Sequence, residues 1–160
     1  MRFTKELTYH ADPGQVFAML ADPAFREKVA RAQEVVSVDV RLTPSGEGFT
    51  MRMEQVQDTR DLPAIAKKIT GDTTQAVIAE DWPSTTDGSI EITAPGKPTT
   101  ATGTITLTPD GAGTRESVEL DVRVKVPLIG GKLEKLMVDN IERGYAVEHV
   151  VGTAWLAGAR

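Results

Sequence analysis

Carboxylates are the side chains in this sequence most suited to acid–base chemistry, and the positions of two of them are unusual. Glu148 falls on the apolar side of a long helical pattern, and Glu80 directly precedes Asp81–Trp82 on a strand-like segment. Burial raises the pKa of a carboxyl group, so two carboxyls in one cavity with separated pKa values can move protons on a ligand. Glu148 and Glu80 are therefore the candidate catalytic residues, although no pattern in the sequence brings them together.

Each candidate also has a simpler interpretation. An unpaired buried carboxylate is costly, so Glu148 either lies near the edge of its helix face, pairs with an arginine of the sheet, or is a polar group inside an apolar cavity. The sequence leaves these alternatives open. For Glu80 and Asp81 the simpler interpretation is two surface charges on an exposed part of the strand.

Other catalytic chemistries lack the residues they need. The chain has two histidines and no cysteine, which excludes disulfides, thiolate zinc sites and a cysteine nucleophile. His10 at a strand end and His149 on the polar helix face are not expected to converge, so we predict no metal site. No G-x-S-x-G is present, and the segments IGGKLE and GAGTRE depart from phosphate-binding patterns. We therefore expect no cofactor.

Alternating apolar and polar residues predict the strands that must position the candidate carboxylates. Short turns rich in Gly, Pro, Ser and Asp separate most of these segments, which favours an antiparallel meander. Seven strands are predicted, at residues 2–9, 36–42, 49–55, 73–82, 89–93, 101–108 and 117–126.

Helix signals occur in three places. Asp12–Pro13 and Asp22–Pro23 are typical helix starts, because the carboxylate caps free N–H groups and proline at the first position loses no hydrogen bond. They predict two short helices, the second ending near Ala30. The connection 59–72 is too long for a hairpin and has apolar residues at helical spacing, so it is either a short helical flap or a surface helix covering a sheet edge.

The last element is predicted to be one long amphipathic helix. Pro127 ends the preceding strand, and Gly130 and Gly131 allow a sharp corner before a helical pattern at residues 131–157. Its apolar face is expected to lie along the sheet. Gly144 in mid-helix costs ~1 kcal/mol relative to alanine, which indicates that a sheet residue or a ligand needs that space.

These elements predict an α+β fold in a single domain, 1–160. We expect a curved antiparallel sheet of about seven strands, two short helices after the first strand, and a long C-terminal helix that crosses the concave face with a gap beneath it. Methionine adapts to irregular apolar shapes, which suits a ligand pocket, although ordinary core packing is the alternative. The side chains that we expect to bind a ligand are Met51, Met53, Ile65, Ile69, Trp82, Met137, Ile141, Gly144 and Glu148.

Composition limits the possible partners. The formal net charge is −5, whereas nucleic-acid binding depends on Lys and Arg at phosphates, so no nucleic-acid partner is expected. No apolar run reaches the ~18–20 residues of a membrane span, and no signal peptide precedes the first strand, so we predict no stable membrane insertion and a cytoplasmic location. The oligomeric state is open.

Two motifs resemble a known superfamily. The opening YHADPGQVFAMLADPAF resembles that of the START-like (SRPBCC) superfamily with its helix-grip fold. VPLIGGKLEKLM and the DW pair at Asp81–Trp82 resemble an uncharacterised branch, a domain-of-unknown-function family. The resemblance spans essentially the whole chain and implies a deep, mostly apolar pocket between the sheet and the C-terminal helix. Members bind or transport lipids, sterols and hormones, and others cyclise polyketides.

Three hypotheses for function follow. The first is the binding of a small hydrophobic or amphipathic ligand, lipid-like or polyketide-like, in the cavity between sheet and helix. The second is a cyclase- or dehydratase-like enzyme in which a cavity carboxylate, Glu148, is the general base. The third is a protein-binding adaptor, which requires a contiguous exposed apolar patch.

Overall fold

A computed structural model describes all 160 residues of the chain, and its central feature is a curved antiparallel sheet. The seven strands run in the order β1-β7-β6-β5-β4-β3-β2, so β2 to β7 form a meander and β1 adds to the β7 edge. The strands are β1 (Arg2–Tyr9), β2 (Ser37–Ser45), β3 (Gly48–Asp58), β4 (Thr73–Trp82), β5 (Asp87–Thr93), β6 (Thr99–Asp110) and β7 (Gly113–Val124).

The predicted meander is confirmed, with one shift that matters for the site. The last strand covers Gly113–Val124, whereas the sequence pattern placed it at 117–126. Its true start includes Glu116, which alternates inward with Val118 and Leu120. After Val124 the chain leaves the ladder, since Val126 N–H donates to the Val124 carbonyl.

Four helices accompany the sheet: α1 (Pro13–Leu20), α2 (Pro23–Ala32), α3 (Ala64–Thr70) and α4 (Gly130–Leu156). The two predicted aspartate caps are confirmed. The Gln15 N–H donates to Asp12 Oδ1 at 2.9 Å, and the Ala24 N–H donates to Asp22 Oδ1 at 2.9 Å. The connection between β3 and β4 contains the short helix α3, as the helical spacing of its apolar residues indicated.

Helix α4 lies on the sheet through an apolar face, as predicted. Tyr145 and Gly152 are buried, whereas Ala154 is exposed. Gly152 is required by packing, because a Cβ there would lie 2.9 Å from Cε1 of Tyr9. At Gly144 a Cβ would instead lie 3.3 Å from Nε2 of Gln33, just after the end of α2, so the neighbouring protein group is not a sheet residue, and the alternative that a ligand needs this space stays a prediction.

The hydrophobic core fills only part of the space between sheet and helices. A cluster of 24 buried residues joins α1, α2 and the C-terminal half of α4 to the sheet. A second cluster of Ala66, Val124 and Leu133 joins α3 to the start of α4. None of the helices is both long enough and apolar enough to cross a membrane.

Candidate functional site: a cavity with a buried charged end

A cavity of about 280 Å³ lies between the sheet and helix α4. Its walls come from β3, β4 and β5 on one side and from α2, α3 and α4 on the other, and 18 of its 34 lining residues are hydrophobic. At one end the lining includes exposed residues such as Asp58 and Gln75, and at the other it includes buried Arg26, Glu80 and Glu148. The cavity is therefore an apolar space that ends on buried charges.

The residues named from the sequence divide into two groups. Those that line the cavity are Met53, Ile69, Glu80, Met137, Ile141, Gly144 and Glu148. Met51, Ile65 and Trp82 do not line it. Met51 and Trp82 belong to the core, where Trp82 stacks on Phe49 with ring centroids 5.6 Å apart, and Ile65 lies half-buried on α3.

Arg26 and Glu80 form a buried ion pair. The guanidinium donates from Nη1 to Oε1 at 3.0 Å and from Nη2 to Oε2 at 2.7 Å, with side chains only 7% and 3% exposed. Arg26 Nε also donates to the Leu20 carbonyl at 2.7 Å, and Trp82 Nε1 donates to Glu80 Oε2 at 2.9 Å. Because removing one partner of such a pair leaves a buried charge, its loss would cost about 3–5 kcal/mol.

The interpretation of Glu80 as a surface charge is wrong, because the alternation of β4 turns its side chain toward the interior. Glu80 shares the inward face of β4 with Ile78 and Trp82, whereas the neighbouring Asp81 points outward and is exposed, as predicted. Trp82 thus has a structural role at the site although it lies outside the cavity, since its indole N–H fixes Glu80.

Glu148 contacts another carboxyl group. Glu116 on β7 lies within hydrogen-bonding reach of Glu148, and the two residues are 1% and 9% exposed. Glu148 Oε1 and Glu116 Oε2 receive no hydrogen bond from any fixed donor, and Tyr9 Oη beside them is also without a partner. Two carboxylates cannot stably share such a site without a proton, so at least one of the two is expected to be protonated and to donate to the other.

This arrangement corrects the simpler interpretations of Glu148. The residue is away from the edge of the helix face, and its partner from the sheet is Glu116, which replaces the arginine considered from the sequence. The cation that lowers the pKa of Glu148 is Arg26, which belongs to helix α2 and is already bound to Glu80.

Burial controls the protonation of this end of the cavity. It raises the pKa of Glu148 to about 7, a rise that the Arg26 guanidinium limits. Burial, with the Glu148 charge adding to it, raises the pKa of Glu116 well above its usual range. Burial also raises the pKa values of Tyr9 and Tyr145, so both phenols stay neutral at physiological pH. Burial therefore favours the neutral form of Glu116, and Glu148 is the group that titrates near pH 7.

Three residues of the site were missed from the sequence, although two had a signal. Arg26 lies three and four positions before the apolar Val29 and Ala30, a spacing that places it on the buried face of α2. Glu116 lay one residue outside the predicted bounds of β7. Tyr145 lies three residues before Glu148 on the same face of α4 and lines the cavity.

The histidines are placed away from the cavity lining. His10 is exposed, and His149 Nε2 lies 2.8 Å from the Thr8 carbonyl oxygen. No group of three or more His, Asp and Glu side chains is arranged to hold a metal ion. The expectation that no cofactor is used stays a prediction.

Comparison with known proteins identifies the family. The model of the family described as "Protein of unknown function (DUF2505)" matches residues 4–156. The chain belongs to this family. No curated protein is significantly similar to it in sequence.

Solved structures show the same fold at low sequence identity. TTHA0849 from Thermus thermophilus is 22% identical over 96% of this chain and 98% of that one, with a TM-score of 0.67. The Zhui aromatase/cyclase from Streptomyces sp. R1128 is 12% identical over 98% and 93%, with a TM-score of 0.65. The di-domain ARO/CYC StfQ of the steffimycin biosynthetic pathway is 14% identical over 98% and 50%, with a TM-score of 0.67. The predicted α+β helix-grip fold is thereby confirmed.

The raised pKa of Glu148 makes stability depend on pH in a defined direction. The folded protein holds a proton on Glu148 up to about pH 7, whereas the unfolded chain releases it near the ordinary value of 4.5. The stabilisation is therefore fully present below about pH 4.5 and is lost as pH rises through about 7, a difference on the order of 3 kcal/mol. We expect the melting temperature to fall between about pH 5 and pH 8, and differential scanning fluorimetry measures this change.

Two glutamine variants on α4 isolate the effect. Glu148→Gln should reduce the slope of the pH dependence, because its amide cannot titrate, and the slope that remains comes from Glu116, whose pKa burial also raises. Glu142→Gln removes one carboxylate from the same helix, but the Glu142 side chain is 46% exposed and bound to Lys5 at 2.6 Å, so this variant should keep the wild-type slope. An equal slope in wild type and Glu148→Gln would show that Glu148 does not carry the raised pKa.

Proposed function

We propose that the protein binds a small amphipathic ligand, lipid-like or polyketide-like, in the cavity between the sheet and α4. The observation that carries the proposal is the cavity of about 280 Å³ with mainly apolar walls and a buried polar end. Ligand sites commonly combine apolar walls with a few fixed polar groups that orient the ligand. The cavity has both parts, since Arg26, Glu80 and Glu148 converge at one end.

The walls are suited to an adaptable apolar body. Met53 from β3 and Met137 from α4 line opposite sides of the cavity, and methionine adjusts to ligands of irregular shape. Ile69 of α3 adds a contact from the short helix near the exposed end. Similar structures include proteins described as aromatase/cyclases, which supports a cavity that binds a ligand, although a fold alone does not determine function.

Two further expectations were a protein-binding adaptor and a cytoplasmic location. For the adaptor hypothesis, the large apolar side chains that are exposed are Met1, Val36, Leu128 and Val150, and no observation joins them into one patch. A cytoplasmic location stays a prediction.

A pair of alanine-to-tryptophan variants on β4 tests binding directly. Ala76 lines the cavity, whereas Ala79, three residues along the same strand, does not. The neutral probe N-phenyl-1-naphthylamine should bind to the wild type and to Ala79→Trp with a rise in fluorescence. Ala76→Trp should weaken binding by about tenfold or more, because the indole occupies the probe's space. The measurement is a fluorescence titration.

Two results would count against binding in the cavity. If the wild type gives no saturable fluorescence rise, or if Ala76→Trp and Ala79→Trp bind the probe equally, the cavity is not a binding site. Circular dichroism of both variants confirms that the comparison is made between folded proteins.

A second candidate function, carboxylate-dependent proton transfer on a bound ligand, is favoured by one observation. Burial raises the pKa of Glu148 to about 7, which is close to the optimum for a general base at neutral pH. Glu148 lines the cavity, and Glu116 beneath it supplies a hydrogen bond that orients its carboxylate. In such a reaction Glu148 takes a proton from the carbon next to a ligand carbonyl and returns it.

Hydrogen–deuterium exchange tests this second function without knowledge of the natural substrate. We expect the wild type to accelerate exchange of the α-protons of 2-tetralone in deuterated buffer, followed by NMR. Glu148→Gln should lose the acceleration while still binding N-phenyl-1-naphthylamine, and Glu142→Gln should retain both. Exchange at the uncatalysed rate with the wild type, or at equal rates with the wild type and Glu148→Gln, would remove this candidate.

A further inference from the structure

We propose that the polar group of the ligand is a hydrogen-bond donor, best supplied by an amine bound as its ammonium ion at Glu148, and that carboxylate ligands are disfavoured. This inference rests on the proposed binding function. It concerns the chemistry of the ligand's polar group. It follows from the pairing of the buried charges, in which Arg26 is bound to Glu80 and Glu148 is left without a cation.

The cation of the site is not free to receive an anionic ligand. Arg26 makes two hydrogen bonds to Glu80 and a third to the Leu20 carbonyl, all between 2.7 and 3.0 Å. Its charge is balanced by Glu80, which is itself held by Trp82 Nε1. A ligand carboxylate would have to compete with a buried bidentate pair, the strongest common geometry for this side chain.

Glu148 has the opposite character. It lines the cavity, it is about nine-tenths buried, and its Oε1 receives no hydrogen bond from any fixed donor. Glu116 Oε2 behind it is likewise without a fixed donor. The proton shared with Glu116 uses one acceptor site of Glu148, whereas an ionised carboxylate has about four, so Glu148 keeps acceptor sites for an incoming donor in the cavity that it lines.

The net charge at the buried end of the cavity also favours a cationic ligand. The ionisable groups that influence Glu148 or its partner Glu116 are Tyr9 on β1, Arg26 on α2, Glu80 on β4, Glu116 on β7 and Tyr145 on α4. Both tyrosines are neutral, Arg26 and Glu80 cancel, and the two remaining carboxyls share a proton. One uncompensated negative charge is left at the buried end of the cavity above neutral pH, where the local dielectric is low.

The consequence for ligands is a ranking by head group. An ammonium ion compensates the charge and donates up to three hydrogen bonds. A hydroxyl donates one hydrogen bond and leaves the charge unchanged. A carboxylate places a like charge beside Glu148, and the neutral donor Tyr145 can offset only part of that cost. Protonation of Glu148 competes with ammonium binding, so the affinity for the amine should fall on acidification.

The test compares decylamine, decanol and decanoate as competitors of N-phenyl-1-naphthylamine, all below their micelle concentrations. At about pH 8 we expect decylamine to compete at least about tenfold more tightly than decanoate, with decanol between them. Between about pH 8 and pH 5.5 the affinity for decylamine should fall about tenfold or more, while that for decanol stays constant. Glu148→Gln should abolish both the preference and its pH dependence.

Glu142→Gln is the matched control, since it changes the net charge by the same amount on the same helix but at a partly exposed position outside the cavity lining. It should keep the wild-type preference for decylamine, which excludes a general attraction of cations to an acidic protein. Equal or tighter binding of decanoate by the wild type overturns the inference, and so does an amine preference that survives in Glu148→Gln. If Glu148→Gln does not fold, the pH dependence of the wild type decides. Failure of all three compounds and of the probe to bind would instead overturn the proposed binding function.

Discussion

The constraint on which the site depends is the presence of three buried carboxyl groups with one guanidinium among them. Glu80 takes the guanidinium of Arg26 in a bidentate pair, so Glu116 and Glu148 must satisfy each other. Two adjacent carboxylates in a low-dielectric interior repel, and holding one proton between them removes the repulsion. This accounts for a general base candidate with a pKa near neutrality at the end of an otherwise apolar cavity.

The architecture of the sheet and helices explains how such an expensive cluster is kept in place. Each charged residue comes from a different element: Arg26 from α2, Glu80 from β4, Glu116 from β7 and Glu148 from α4. Gly152 lets α4 approach Tyr9 closely enough to bring Glu148 against the sheet. The fold therefore holds the charged side chains in place through the core packed around them. The space beside them, next to β3, β4 and β5, is left as the cavity.

The sequence predicted the architecture well and the site only in part. Alternation over Arg2–Tyr9 matched the strand because it has one buried and one exposed face, and the aspartate–proline caps are purely local signals. Glu80 was misjudged because alternation gives the face of a strand residue but does not reveal a long-range partner such as Arg26. The carboxyl pair was out of reach because Glu116 lay outside the predicted strand, and pairing across sheet and helix is set by tertiary packing.

The most direct test of the shared proton is a carbon-13 NMR titration of the glutamate side-chain carboxyls, with assignments from Glu116→Gln and Glu148→Gln. Glu116 should remain protonated at neutral pH, and Glu148 should titrate with a pKa of about 7. In Glu116→Gln the midpoint of Glu148 should move, since its partner no longer exchanges a proton. Finding both carboxyls ionised at pH 6, with midpoints near the ordinary 4.5, would contradict the shared proton and the explanation built on it.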